Sequence, residues 1–151
     1  MKKGFSLTLI FLVFLLPITV LAFQNEPDGF RGIEWGTDIS EWPDMSHVSR
    51  NVYQRENDEL TIEDANVTKI HYKTYEGRLY GVAISYKGFS NKEKLKQTLF
   101  YWYGEADKSN RVREHYRWIG SDVWISLHYS EELGERGSIN YYYLPLWQDR
   151  R

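Results

Sequence analysis

The residues best suited to proton transfer or metal ligation in this 151-residue chain are four histidines, His47, His71, His115 and His128. They are dispersed. None forms H-x-x-x-H or a compact His/Asp cluster of the kind that aims several ligands at one ion. His115 and His128 fall in successive expected strands, where they can face each other across a hairpin. Carboxylates crowd two places: Glu34, Asp38, Glu41 and Asp44 near the opening, and Glu131 and Glu132 in a later loop. A glycosidase needs two carboxylates a defined distance apart in a cleft, one of them with a raised pKa. Acids near a helix start are equally accounted for by the helix dipole. Nucleophilic catalysis has less support: there is no cysteine and no G-x-S-x-G, and Ser121 follows Gly120 in a hairpin turn rather than a strand-to-helix elbow. No catalytic, metal-binding or cofactor-binding residue is assigned on this basis.

The unusual chemistry is aromatic. Phe, Trp and Tyr make up 17% of the chain, with six Trp and twelve Tyr. Tyr and Trp bury a large area and keep a polar tip, so Tyr80, Tyr86, Trp102, Tyr103 and Tyr129 are expected as core. Trp118, Trp124, Tyr142 and Trp147 are harder to place inside. Trp124 opposes the apolar set of its strand, and Tyr142 opposes Tyr141 and Tyr143. If one sheet face is bare of helices, these four form an exposed aromatic surface for a ligand or partner. The structural alternative is cross-strand aromatic pairing that stiffens the sheet.

Periodicity places these residues. The segment from Asp38 to Met45, "DISEWPDM", is expected to be a short helix capped by Thr37 or Asp38, with Pro43 in its first turn. "VSRNVYQRE" from Val48 reads as one strand, "ENDE" as a turn, and "LTIEDANVTKIHYKTY" as a long strand broken near Asp64 to Asn66. Gly77 supplies a hairpin turn. In "LYGVAISYKGF", Tyr80, Val82, Ile84 and Tyr86 share one face, and Leu79, Gly81, Ala83 and Ser85 the other. Ser90 and Glu93 form a capping box, Leu95, Leu99, Trp102 and Tyr103 make a helical stripe, and Gly104 suits a C-cap. The spacing predicts a helix over 91–103. "EADKSN" reads as a polar loop. Three further strands follow, the last stopped or confined to an edge by Pro145.

The resulting expectation is an α+β fold: an antiparallel sheet of about six strands with two helices on one face, built as helix plus three strands used twice. The first residues read as an export signal. Lys2 and Lys3 precede an apolar run from Phe5 to Ala22, and Val20 and Ala22 supply the small residues a signal peptidase needs. Cleavage after Ala22 leaves a flexible leader, 23–29, and a single domain over 30–151. Removing Lys2 and Lys3 takes the formal charge from −2 to about −4. Charges of both signs are interspersed, with no basic stripe along the sequence to track nucleic acid. An exported chain without cysteine must hold together by packing alone.

The opening residues Phe30, Gly32, Ile33, Trp35, Gly36 and Thr37 give the pattern F-x-G-I-x-W-G-T. With "TYEGRLYGVAISY", "SNKEKLKQTLFYWYG" and "RWIGSDVWISLHY", this pattern resembles a family of uncharacterised exported bacterial proteins. The resemblance covers nearly all of the chain after residue 22. That family has no assigned activity, so the resemblance implies export and implies no catalytic residues. The helix-plus-three-strand layout is also loosely similar to small envelope-assembly and β-lactamase-inhibitor domains, a likeness of architecture only. Physically the opening reads as a structural corner: Gly32 and Gly36 permit a turn, and Trp35 plugs one end of the core.

These readings lead to an exported, non-enzymatic domain in the periplasm or outside the cell, binding a protein or other envelope component through a sheet face or edge. A carbohydrate-binding module using the Trp/Tyr platform is second, and a small hydrolase third. Nucleic acid is not expected as a partner, nor a membrane span after signal cleavage.

Overall fold

Strict alternation of side chains organises the structure. The computed structural model describes residues 23–110 and 114–150; the expected signal segment, 1–22, lies outside them. Two short strands, β1 (Gly29–Phe30) and β2 (Ile33–Glu34), form a hairpin at the opening motif. The main sheet contains β3 (Met45–Ser49), β4 (Val52–Arg55), β7 (Lys69–Tyr75), β8 (Arg78–Lys87), β9 (Asp107–Asn110), β10 (His115–Ile119), β11 (Val123–Ser130) and β12 (Arg136–Tyr143). Its order is β3-β4-β7-β8-β12-β11-β10-β9, with every pairing antiparallel. A further small hairpin joins β5 (Thr61–Ile62) and β6 (Ala65–Asn66).

One face of the main sheet is the core. Cross-strand partners Ile70 and Ile84, Val82 and Tyr141, Leu127 and Ile139, and Trp118 and Ile125 all point into it and all are buried. Helix α1 (Phe89–Tyr103) covers this face with Leu95, Leu99 and Tyr103. Phe100 meets the rings of Tyr116 and Trp118 at 5.4 Å, and Tyr103 meets Tyr141 at 6.4 Å. Fully burying one such side chain contributes roughly 1.5–3 kcal/mol, so the packed rings can replace disulfides as the source of stability. The helix ends where Gly104 turns to φ 77° and its N–H donates to the Phe100 carbonyl.

The α+β class and the antiparallel sheet agree with the sequence. The finer architecture does not. The expected helix over "DISEWPDM" is a string of turns and a β-bridge. Asp38 accepts from the Ser40 amide and hydroxyl, an Asx turn that competes with helix formation. The second helix is instead α2 (Leu144–Asp149) at the end of the chain. Pro145 sits in its first turn, where the absent N–H costs nothing, so this proline begins a helix rather than merely ending a strand. The repeated helix-plus-three-strand plan is therefore absent, and with it the likeness drawn from that plan. The two helices also lie on opposite faces, because Trp147 of α2 packs on Trp124 and Tyr142, away from the core.

Smaller differences have local causes. Asn51, at φ 58°, folds "VSRNVYQRE" into the β3–β4 hairpin instead of one strand. Part of the expected loop "EADKSN" is β9, paired with β10. A bulge between β7 and β8 leaves Tyr80 without a partner, so Leu79 turns to the core and Tyr80 to the opposite side, reversing their expected faces. The N-cap of α1 is Gly88, and Ser90 makes no cap; Glu93 pairs with Lys92 and Lys96 instead.

Candidate functional site

The sheet face opposite α1 is where polar chemistry collects. Register defines its rows. One runs Lys69, Ser85, Ser138, His128, His115 across five strands; the next runs His71, Ala83, Asn140, Ser126, Arg117. A third runs Lys73, Gly81, Tyr142, Trp124, Ile119, and Lys87 with Arg136 begins the last. In each of the first two rows a small or hydroxyl-bearing floor lies between cationic or imidazole walls. Five strands at about 4.8 Å spacing put those walls ~19 Å apart at the backbone. The short side chains of β8 and β12 between the longer ones of β7 and β10 give this strip of the face, called the trough below, its low floor.

The strands β7, β8, β10, β11 and β12 place no carboxylate on this face. Asp107, opposite Arg117, is at its edge. Proton affinities reflect the imbalance. Burial, then Lys69 and Lys73, holds His71 below the usual imidazole value. Burial, then His128 and Arg117, does the same to His115. Burial and then Arg150 depress Lys73. After burial, the neighbouring Lys69, Lys73 and Arg117 disfavour a further positive charge on the two imidazoles. The rings of His115 and His128 are 5.9 Å apart, so the expected cross-hairpin pair is present. Among the described residues no group of three His, Asp or Glu side chains is placed to hold a metal ion.

Aromatic rings close one end of the trough. Trp124, Tyr142 and Trp147 contact one another with centroids 5.5 to 5.9 Å apart. Lys73 lies over the Tyr142 ring at 5.1 Å. Arg150, at the end of α2, covers the Tyr80 ring and donates to its hydroxyl at 2.5 Å. Three of the four rings expected as a surface are thus brought together, each half-buried. Trp118 is not among them: it is 1% exposed, on the core face, and its indole N–H donates to the Gly104 carbonyl at 2.9 Å. Its strand position, opposite Ile125, puts it there. Two donors on the trough face, Trp124 Nε1 and Arg117 Nε, are buried with no acceptor among the described residues.

The residues of the opening motif pack and bond into the body of the domain. Phe30 and Ile33 are buried; Trp35 donates to the Pro27 carbonyl at 2.8 Å and stacks on Tyr141 and Tyr143. Gly36 at φ 85° lets its N–H reach the Leu79 carbonyl, and the Leu79 N–H returns to Thr37. Gly32 takes φ 77° in the β1–β2 turn. The leader expected to be flexible is bonded into the body. Phe23 packs on Tyr103 at 5.4 Å, and the Gln24 amide donates to the Tyr103 carbonyl. Glu26 accepts from the amides of Ser121, Asp122 and Val123 and from the Ser121 hydroxyl. No sequence pattern pointed to that carboxylate.

A cavity of about 670 Å³ lies elsewhere, between the β1–β2 turn, β5 and the end of α1, with Phe30, Arg31, Glu59, Trp102 and Tyr103 among its walls. Its wall holds one cation, Arg31, beside the carboxylates of Asp58, Glu59 and Glu63. Asp58 takes Arg31 on one oxygen and the Tyr72 hydroxyl on the other. A carboxylate held this way has little freedom to serve as acid or base. The buried Lys92, also missed in the sequence because its charge reads as exposed, is tied to Glu93 and Glu114 at 2.7 Å and lies 4.0 Å from the Phe89 ring centroid.

The chain is thus a mostly-β α+β domain with one sheet face covered by α1 and the other crossed at one end by α2, with Lys69, Lys73, Arg117 and three histidines on the rest. No family model, characterised protein or solved structure matches it.

Proposed function

We propose that this is an exported, non-catalytic binding domain that holds an anionic envelope component in the trough. The single observation that carries the reading is the absence of carboxylates from five adjacent strands that place Lys69, Lys73 and Arg117, with His71, His115 and His128, on the face opposite α1, which α2 crosses at its Trp124 and Tyr142 end. Single-sign fields of this kind attract and orient an oppositely charged partner. Export rests on the residues of the first 22 positions and on the family resemblance. Among the described residues no helix is long and apolar enough to cross a membrane. The test is cosedimentation with a bacterial envelope fraction. The reading expects binding that weakens with salt and falls at least tenfold in the variant Lys69→Gln/Lys87→Gln/Arg136→Gln, whose three replaced side chains are exposed. Binding by that variant equal to the parent's would overturn it.

A further inference from the structure

We propose that the occupant of the trough is a carboxylate-bearing polysaccharide, an inference that rests on the binding role proposed above. Three features select a glycan over an acidic polypeptide. The floor is polar: Ser85, Ser138 and Asn140, each half-buried, offer hydroxyls and an amide, Ser126 lies buried beside them, and Ala83 and Gly81 are the apolar exceptions. Protein partners anchor through an apolar interface core, which this floor lacks. Sugar hydroxyls, by contrast, match a floor that both donates and accepts. The second feature is the position of the rings. Trp124, Tyr142 and Trp147 stand at one end of the floor, where ring faces can meet the C–H face of a sugar while the walls hold its charges.

The third feature is spacing. Lys69 and Lys73 stand on one wall and Arg117 on the other, with the strands about 19 Å apart at the backbone, and His71, an uncharged imidazole near neutral pH, lies between the two lysines so that the three follow one another at every second residue. Those three are ~7 Å apart along the strand, at about 3.4 Å rise per residue. A chain bearing one carboxylate per sugar can meet such a ladder while its hydroxyls face the floor. Lys87 and Arg136 lie beyond the floor at the end away from the rings, so the cationic track continues along the strands.

The test uses the protein expressed from its full-length sequence, titrated with polygalacturonate, neutral dextran and poly-glutamate at low and high salt. Polygalacturonate should bind, weaken with salt, and lose at least tenfold in affinity in Lys69→Gln/Lys87→Gln/Arg136→Gln, with an unchanged thermal midpoint showing that the fold is intact. Trp147→Ala should weaken it as well. Equal binding of dextran would overturn the charge basis of the proposal. Poly-glutamate binding as tightly as polygalacturonate would overturn the choice of a glycan in favour of an acidic polypeptide. If none of the three binds yet salt-sensitive cosedimentation with envelope survives, the glycan proposal falls and the broader role stands. If cosedimentation is also absent, both fall.

Discussion

Replacing Glu26 tests whether the leader is energetically part of the domain. Its carboxylate accepts from three consecutive amides, with Ser121 at 3.1 Å and Asp122 at 2.6 Å, and from the Ser121 hydroxyl at 2.9 Å. Hydrogen bonds to a charged group contribute roughly 1.5–3 kcal/mol when shielded, and less where water can replace the acceptor. Ser121 and Asp122 are exposed and Val123 is buried. The Val123 amide therefore dominates, and the total loss for Glu26→Ala is ~2 kcal/mol. At about 3–5 °C per kcal/mol for a domain of this size, the thermal midpoint should fall by about 6–10 °C at pH 7. Burial pushes the Glu26 pKa up, but the bonds from Asp122, Val123 and Ser121 outweigh it and hold the group below its usual value. Its contribution is thus present above about pH 4.5 and lost as pH falls further, so the gap between parent and variant should close in acid. Circular-dichroism melts across pH 3–7 check both parts. A midpoint shift under 1 °C at pH 7, or a gap that widens in acid, would refute the reasoning.

Trp118→Ala should destabilise the fold by ~3–5 kcal/mol in denaturant melts, since it empties a core site and orphans the Gly104 carbonyl; a loss under 1 kcal/mol would return Trp118 to the surface. Gly137→Ala should cost about 1–3 kcal/mol in the same melts, because a Cβ there meets the Tyr86 ring and the His128 carbonyl. His71 and His115 should titrate below 6.5 by NMR. Their depressed values mean a stability contribution that is complete above about pH 6.5 and lost as pH falls; midpoints at or above 6.5 would contradict the crowding of positive charge described for the trough.

The elements legible in the sequence were those with one dominant local signal. Gly77 after Glu76 fixed the β7–β8 hairpin, since both residues take positive φ. The Leu95 and Leu99 stripe with Gly104 fixed α1. What was not legible depended on partners distant in the chain. Asp38 prefers a turn because it bonds Ser40 and bridges Arg78, and no local pattern announces that bridge. The opposite placement of α2 follows from Trp147 seeking Trp124 and Tyr142. The trough itself is encoded by pairing. Lys69, Ser138 and His115 are far apart in sequence, and only the strand order β7-β8-β12-β11-β10 sets their rows side by side. That is why the chain shows no basic stripe along its length yet carries five adjacent strands with cations and no carboxylate on this face. Trp118 and Trp124 were grouped by residue type, whereas opposite register parity separates them.

The most direct measurement is a map of amide shifts in the presence of galacturonate oligomers. With the glycan in the trough, the largest changes fall at Ser85, Ser126, Ser138 and Asn140 and at the Trp124 indole, with Phe30, Thr61 and Trp102 silent. Changes centred on those last three residues, or none anywhere, would contradict that placement.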